Sequence, residues 1–256
     1  MPDSLINIID LGKTIENREI VCPVSFSIFS SEVLTFIGPN GAGKSTLLRM
    51  ISLISFGDTG KIEYSIPGCK EVTIDFSISK KISIDQPEIL TMRQNMLYLF
   101  QKPAVFSTSV LNNLILSGKL RGQKFTEKEC ESVLHKVGLI KTIHQNATTL
   151  SGGEMSRLAF ARALLLKPKV LFLDEPSAHL DPMGVKSVEE WICELKTEYK
   201  TSIFLVTQDL FEAKRVSDRV GFLLSGQLIE LKSNQEFFNH PSDPKTCHFV
   251  KGELPI

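Results

Sequence analysis

The chain has 256 residues, 42% hydrophobic and 23% charged, the balance of a folded globular protein and not of a disordered one. Lys plus Arg and Asp plus Glu each number 29, so the formal net charge is zero, without the basic excess expected of a dedicated nucleic-acid binder. No apolar run approaches the roughly 18 residues that span a bilayer. The opening MPDSLINIIDLGK has no basic n-region and no uninterrupted apolar stretch, so no signal peptide is expected and the chain is placed in the cytoplasm. The five cysteines (Cys22, Cys69, Cys130, Cys193, Cys247) are odd in number, far apart and without a CxxC pair, which reads as reduced thiols.

In chain order, residues 33–37 (VLTFI) form the first buried strand, and a helical pattern follows through Leu47, Leu48, Ile51 and Ile54. Residues 61–85 alternate apolar and polar positions (Tyr64, Ile66, then Val72, Ile74, Phe76, Ile78), the period of antiparallel strands with one wet face. Residues 110–150 read as helical. Thr126 and Glu129 make a capping box, Cys130, Val133, Leu134 and Val137 share one apolar face, and Gly138 ends that helix. Ser151 N-caps a further helix that stops before Pro168. Residues 170–173 and 203–206 are continuous apolar strands, expected where helices cover both faces of a sheet. Residues 220–224 and 227–231 read as a hairpin about Ser225-Gly226, and the polar tail after His240 reads as a surface extension. The alternation of strands and helices predicts an α/β fold with a largely parallel sheet, an antiparallel β part and an inserted helical subdomain.

Three segments carry chemistry. Gly38, Pro39, Asn40, Gly41, Ala42, Gly43, Lys44 and Ser45 match GxxxxGK[ST], between a strand and a helix as a phosphate-binding loop requires. Its glycines let successive N–H groups turn toward phosphate oxygens, Lys44 reaches the β- and γ-phosphates, and Ser45 offers a hydroxyl to Mg2+. Asp174 and Glu175 end a buried strand on the edge where open α/β sheets hold ligands; Asp174 is a candidate Mg2+ acid and Glu175 a candidate general base. Ser151, Gly152, Gly153 and Glu154 put two glycines at a helix N-terminus, a second anion site that makes sense if it serves a nucleotide held by another copy.

These segments resemble the ATP-binding subunits of ABC transporters over nearly the whole chain. Residues 38–45 resemble Walker A, residues 171–175 Walker B, and residues 150–154 the LSGGQ signature with Glu154 in place of Gln. Phe100-Gln101 resembles the Q-loop and residues 177–181 the D-loop. The resemblance implies a P-loop NTPase core in a single domain, with 1–94 and 160–256 as the nucleotide-binding core and 95–159 as the helical subdomain. It implies an active ATPase with ATP and Mg2+ as cofactors. Gln101, Ser45 and Asp174 are implied at the metal, and Lys44, Glu175, Gln101 and Gln208 in catalysis. Residues 38–45, Thr46, Ile15 and residues 151–154 are implied in nucleotide binding. Gln208 stands where the family has its switch histidine, and Ile15 where it has an adenine-stacking aromatic.

The implied partners are a second copy packed head to tail, separate membrane permeases whose coupling helix enters a groove beside the helical subdomain, and a substrate-binding protein. Nucleic acid is not among them, and the subunit is implied to be peripheral on the inner face of the plasma membrane. Residues 100–106 with 109–113, and the end from Phe237 to Glu253, resemble importers of tungstate, molybdate or phosphate. A soluble ABC ATPase of cofactor assembly and a nucleotide-sensing regulator with weak hydrolysis remain as other readings.

Overall fold

The computed structural model describes residues 4–77, 86–178 and 180–253. The chain opens with two long antiparallel strands, β1 (Ser4–Ile15) and β2 (Arg18–Phe29). Glu16 and Asn17 between them have φ of 49° and 63°, a turn with left-handed residues that suits the right-handed twist of a hairpin. The strand β4 (Thr59–Tyr64) pairs with the other edge of β1, and β5 (Val72–Asp75) with β4, giving the antiparallel order β2-β1-β4-β5. The alternating stretch read at 61–85 thus supplies two of these strands, and residues 78–85 lie outside the described residues. The N-terminal pair is added to that reading: register shifts along β1 break its two-residue period, so its apolar positions do not alternate evenly.

The second sheet runs β10-β9-β3-β8-β7-β6, from β3 (Val33–Ile37), β6 (Met96–Leu99), β7 (Val170–Asp174), β8 (Ser202–Thr207), β9 (Arg219–Leu224) and β10 (Gln227–Ser233). All neighbours pair in parallel except the β9–β10 hairpin. The strand β6 opens the segment set apart as helical, yet Met96 to Leu99 register with Val170 to Leu173 in the core sheet.

Alternate side chains of the central strands enter different cores. Leu34, Phe36, Phe172 and Phe204 pack with the apolar face of the antiparallel sheet, with α1 (Lys44–Ile51) and with α2 (Pro87–Gln94). Phe26 reaches across from β2, its ring 4.8 Å from Phe36 and 5.8 Å from Phe204. Leu171, Leu173, Ile203 and Leu205 pack on α3 (Val110–Lys119), α4 (Glu127–Lys136), α5 (Gly152–Leu166) and α6 (Pro182–Thr197). One face of the parallel sheet is therefore covered mainly by another sheet, not by helices as expected; apolar β-sheet dehydrates a strand face as completely as helices do.

The helix α7 (Leu210–Val216) follows β8, and the chain finishes with α8 (Asn234–Asn239) and α9 (Pro244–Val250). The tail is tied down instead of extending over the surface. Phe249 stacks on Phe222 with centroids 4.6 Å apart, Thr246 is buried, and the Glu230 carboxylate accepts from the amides of Ser242 and Asp243 at 2.7 and 3.2 Å. Among the described residues no helix is long and apolar enough to cross a membrane.

Candidate functional site

The strand β3 is buried throughout and delivers the chain to the glycine loop at the sheet's C-terminal edge. Two of its glycines are required by contact. A Cβ on Gly38 would stand 2.1 Å from the Leu223 carbonyl oxygen, and one on Gly43 2.5 Å from that of Ile20; both positions have positive φ. Gly43 caps α1 in the left-handed region, so the first amides of that helix face outward without a side-chain partner, the arrangement that attracts anions. Lys44 folds back over the loop, 4% exposed, and its Nζ donates to the carbonyls of Gly38 at 2.7 Å and Pro39 at 3.0 Å. Burial holds its pKa below the ordinary lysine value, against the opposing pull of Glu175 and Asp174.

The β7–β8 pairing brings in the acids. Ser45 Oγ donates to Asp174 Oδ1 at 2.6 Å, and Tyr98 OH donates to Asp174 Oδ2 at 2.7 Å, with Arg49 at 3.6 Å from the same oxygen. Burial, then the bond to Asp174, pushes the Tyr98 hydroxyl far above its ordinary pKa, so it stays a donor. Glu175 has φ of 48°, and its amide donates to the Val206 carbonyl of β8 at 2.9 Å. Its carboxylate accepts from Gln101 Nε2 at 3.1 Å.

A cleft of about 870 Å3 joins these groups. Residues 40–46 line one side; Gln101, Glu175, Ala178 and Gln208 also line it. The antiparallel sheet adds Arg18, Glu19 and Ile20, and the β9–β10 turn adds Ser225. The volume suits a nucleotide-sized ligand. Asp174 lies just beneath, 3% exposed. Ile15 is not among the lining residues; it stands 48% exposed at the end of β1, and Arg18 to Ile20 occupy the wall instead.

Ser151, Gly152, Gly153 and Glu154 do not line this cleft. Ser151 caps α5 by accepting from the Glu154 amide, and the Glu154 carboxylate accepts from the Ser151 amide at 2.8 Å and hydroxyl at 2.7 Å. This capping box holds the Glu154 pKa below the ordinary range, chiefly through the Ser151 amide. A Cβ on Gly152 would meet nothing within 4 Å, and one on Gly153 only Leu180 at 3.9 Å, so the helix start presents bare backbone.

Sequence reasoning missed Tyr98, Arg49, Arg18, Glu19 and Ser225. Tyr98 sits on a short apolar strand and reads as core until β6 is paired with β7; its place three residues before Gln101 was the available signal.

A parallel sheet with a glycine loop between strand and helix, and a carboxylate pair at the end of a strand two places along the same sheet, defines the class of P-loop nucleoside triphosphatases. Comparison with known proteins narrows it. A family model described as ABC transporter matches residues 21–178. The phosphate import ATP-binding protein PstB of Mycoplasma mycoides subsp. mycoides is 34% identical over 236 residues, 90% of this chain and 97% of that protein. Its counterpart in Campylobacter jejuni subsp. jejuni is 34% identical over 243 residues, 92% and 93% of the two chains. Among solved structures, cbiO1 from Clostridium perfringens, part of the ABC transporter complex cbiONQ, superposes with a TM-score of 0.74 at 27% identity, covering 93% of this chain and 92% of that one. A dimeric ATP-binding cassette in a post-hydrolysis state with ADP and Pi shares the fold, with a TM-score of 0.77 at 21% identity over 90% and 99% of the two chains. The chain belongs to the ABC transporter family and is an ATP-binding, ATP-hydrolysing member of it.

Proposed function

We propose that this chain is the subunit whose ATP hydrolysis powers a membrane importer of a small oxyanion, phosphate before tungstate or molybdate. The observation that carries the catalytic part is the convergence of Glu175, Gln101 and Gln208 on the cleft lined by the glycine loop. The transported class rests on the PstB relatives, which are named for phosphate import.

In this reading the amides of residues 40–46 and the Lys44 ammonium bind the phosphates. A buried cation released from carbonyl contacts gains more from the β- and γ-oxygens than an exposed one would. The Ser45 hydroxyl, the Asp174 carboxylate and the Gln101 amide are oxygen donors and fit Mg2+, which favours few protein ligands and completes its shell with phosphate and water oxygens. When bound, the ion neutralises charge on the phosphates. Glu175 accepts a proton from the attacking water as the water oxygen bonds to the γ-phosphorus. The bond from that phosphorus to the β–γ bridging oxygen breaks, leaving ADP and phosphate. Gln101 holds the Glu175 carboxylate toward the water, and Gln208 donates a neutral hydrogen bond to a γ-oxygen. Arg18 to Ile20 form the wall for the base and ribose, with Ile15 at its margin.

The bare start of α5 serves the nucleotide of a second copy, with Ser151 to Gly153 toward the γ-phosphate and Glu154 fixing the cap. That reading makes the working unit a homodimer, docked through its helical subdomain on separate permeases at the inner membrane face and supplied by a substrate-binding protein. Residues 95–159, without β6, form that subdomain.

Co-purification of the chain from membranes tests the assignment. Permease proteins should accompany it, and ATP turnover in the complex should rise when an oxyanion-loaded binding protein is added. Recovery with soluble scaffold proteins alone would overturn the transport reading.

A further inference from the structure

Behind the cleft lies a carboxyl that the mechanism above does not use. Glu212, on the first turn of α7, is 0% exposed. The hydroxyls of Ser177 and Thr207 face its carboxyl, and neither completes a hydrogen bond of good geometry with it. Burial, more than any neighbouring charge, raises its pKa; the other charges toward it are Asp209, Glu189 and Arg215. Arg215 is engaged with Glu189, its Nε donating to both carboxylate oxygens at 2.9 Å, and the Asp209 carboxylate is occupied with the amides of Phe211 and Glu212. No full ion pair therefore accounts for this buried acid among the described residues.

Its two hydroxyl neighbours sit at telling places in the chain. Ser177 is two residues after Glu175, in the turn where the Ala178 amide donates to the Glu175 carbonyl at 3.1 Å. Thr207 is the last residue of β8, immediately before Gln208, and its Oγ1 accepts from the Asp209 amide at 3.1 Å. One buried carboxyl thus faces hydroxyls from both segments that carry Glu175 and Gln208, two residues that line the cleft. The Thr207 hydroxyl stands between that carboxyl and the Asp209 amide, so Glu212 lies against the Gln208 turn.

We propose that Glu212 is a positioning residue that locks the Glu175 turn and the Gln208 turn in register through the hydroxyls of Ser177 and Thr207. It touches neither nucleotide nor water. Its effect falls on the attack geometry more than on ATP affinity, because the phosphate-holding loop runs from β3 into α1 and carries neither Glu175 nor Gln208. This inference rests on the ATPase reading above.

The test compares the full chain with Glu212→Ala and Glu212→Gln, measuring kcat and KM for ATP, equilibrium binding of a fluorescent ATP analogue, and the melting temperature. Glu212→Ala should lower kcat about ten- to hundredfold, the scale of a misplacement near 1 Å, with KM and analogue affinity within about twofold. Glu212→Gln keeps the shape and presents a polar group to the same two hydroxyls, and should restore most of the lost kcat. The pair Ser177→Ala and Thr207→Val should reproduce the kcat loss without adding to that of Glu212→Ala. A Glu212→Ala kcat equal to the parent's overturns the proposal. So does a loss of kcat and affinity together that Glu212→Gln shares, since that marks a merely structural role. If the parent itself neither binds nor hydrolyses ATP, the ATPase reading fails first; if the parent turns over and the variants match it, the positioning role alone fails.

Discussion

Glu175→Gln separates base chemistry from everything else this side chain does. Glutamine has the same length and the same left-handed backbone requirement, so the φ of 48° adds no new strain to the comparison. The contact to Gln101 Nε2 at 3.1 Å survives as an amide–amide bond, weakened only by the loss of charge on an exposed pair. Folding stability should therefore move by less than about 1 kcal/mol. The lost proton acceptance is a much larger effect. General-base catalysis contributes roughly 10²–10⁴-fold, which is about 3–5 kcal/mol of barrier. ATP bound to the variant should then outlive a chromatographic run and hold two subunits together across a shared site. Single-turnover hydrolysis at saturating ATP and Mg2+ gives the rate, and gel filtration with ATP gives the oligomeric state. A variant that hydrolyses within about threefold of the parent and elutes as a monomer would refute both the base role and the shared site.

Lys44→Ala should abolish ATP binding and turnover in the assembled complex, because Lys44 is the cation folded over the loop; nucleotide affinity by fluorescence titration checks it, and parent-like affinity contradicts the loop assignment. Gln208→Ala should cost roughly one to two decades of rate, the worth of a hydrogen bond to a charged oxygen formed in the transition state. Gln208→His should recover activity and introduce a titration near pH 6.5, the ordinary histidine value, which the parent amide cannot show; rate profiles from about pH 5.5 to 8.5 decide this. Tyr98→Phe removes the 2.7 Å bond to the buried Asp174 carboxylate and should destabilise the chain by about 1.5–3 kcal/mol, read as a fall in the urea midpoint at unchanged slope. An unchanged midpoint would show that Arg49 and solvent replace the tyrosine.

The nucleotide loop, its flanking strand and helix, and the acidic end of β7 were determined by the sequence alone, because each is a short contiguous unit. Residues 38–45 can serve as a phosphate cradle only between a buried strand and a helix start, and both neighbours are written in adjacent residues. The capping box at Thr126 and the N-cap at Ser151 were legible for the same reason: donor and acceptor are three residues apart. The position of α9 was not legible. Its polar sequence conceals Thr246, which is buried, and Phe249, half-buried on Phe222, and both are covered only because β9 and β10 offer them a surface. Ile15 reads as the base contact by its place in the chain, but the turn at Glu16 and Asn17 brings Arg18 to Ile20 to the cleft wall.

Tertiary structure alone decided the second layer of the site. Tyr98 meets Asp174 across 76 positions, Gln101 meets Glu175 across 74, and Ser177, Thr207 and Glu212 gather from three separate elements. Local propensity carries no information about such distances. They are set when the parallel register of β6, β7 and β8 brings strand ends that are remote in sequence to one edge of one sheet, where burial then makes each polar partner count.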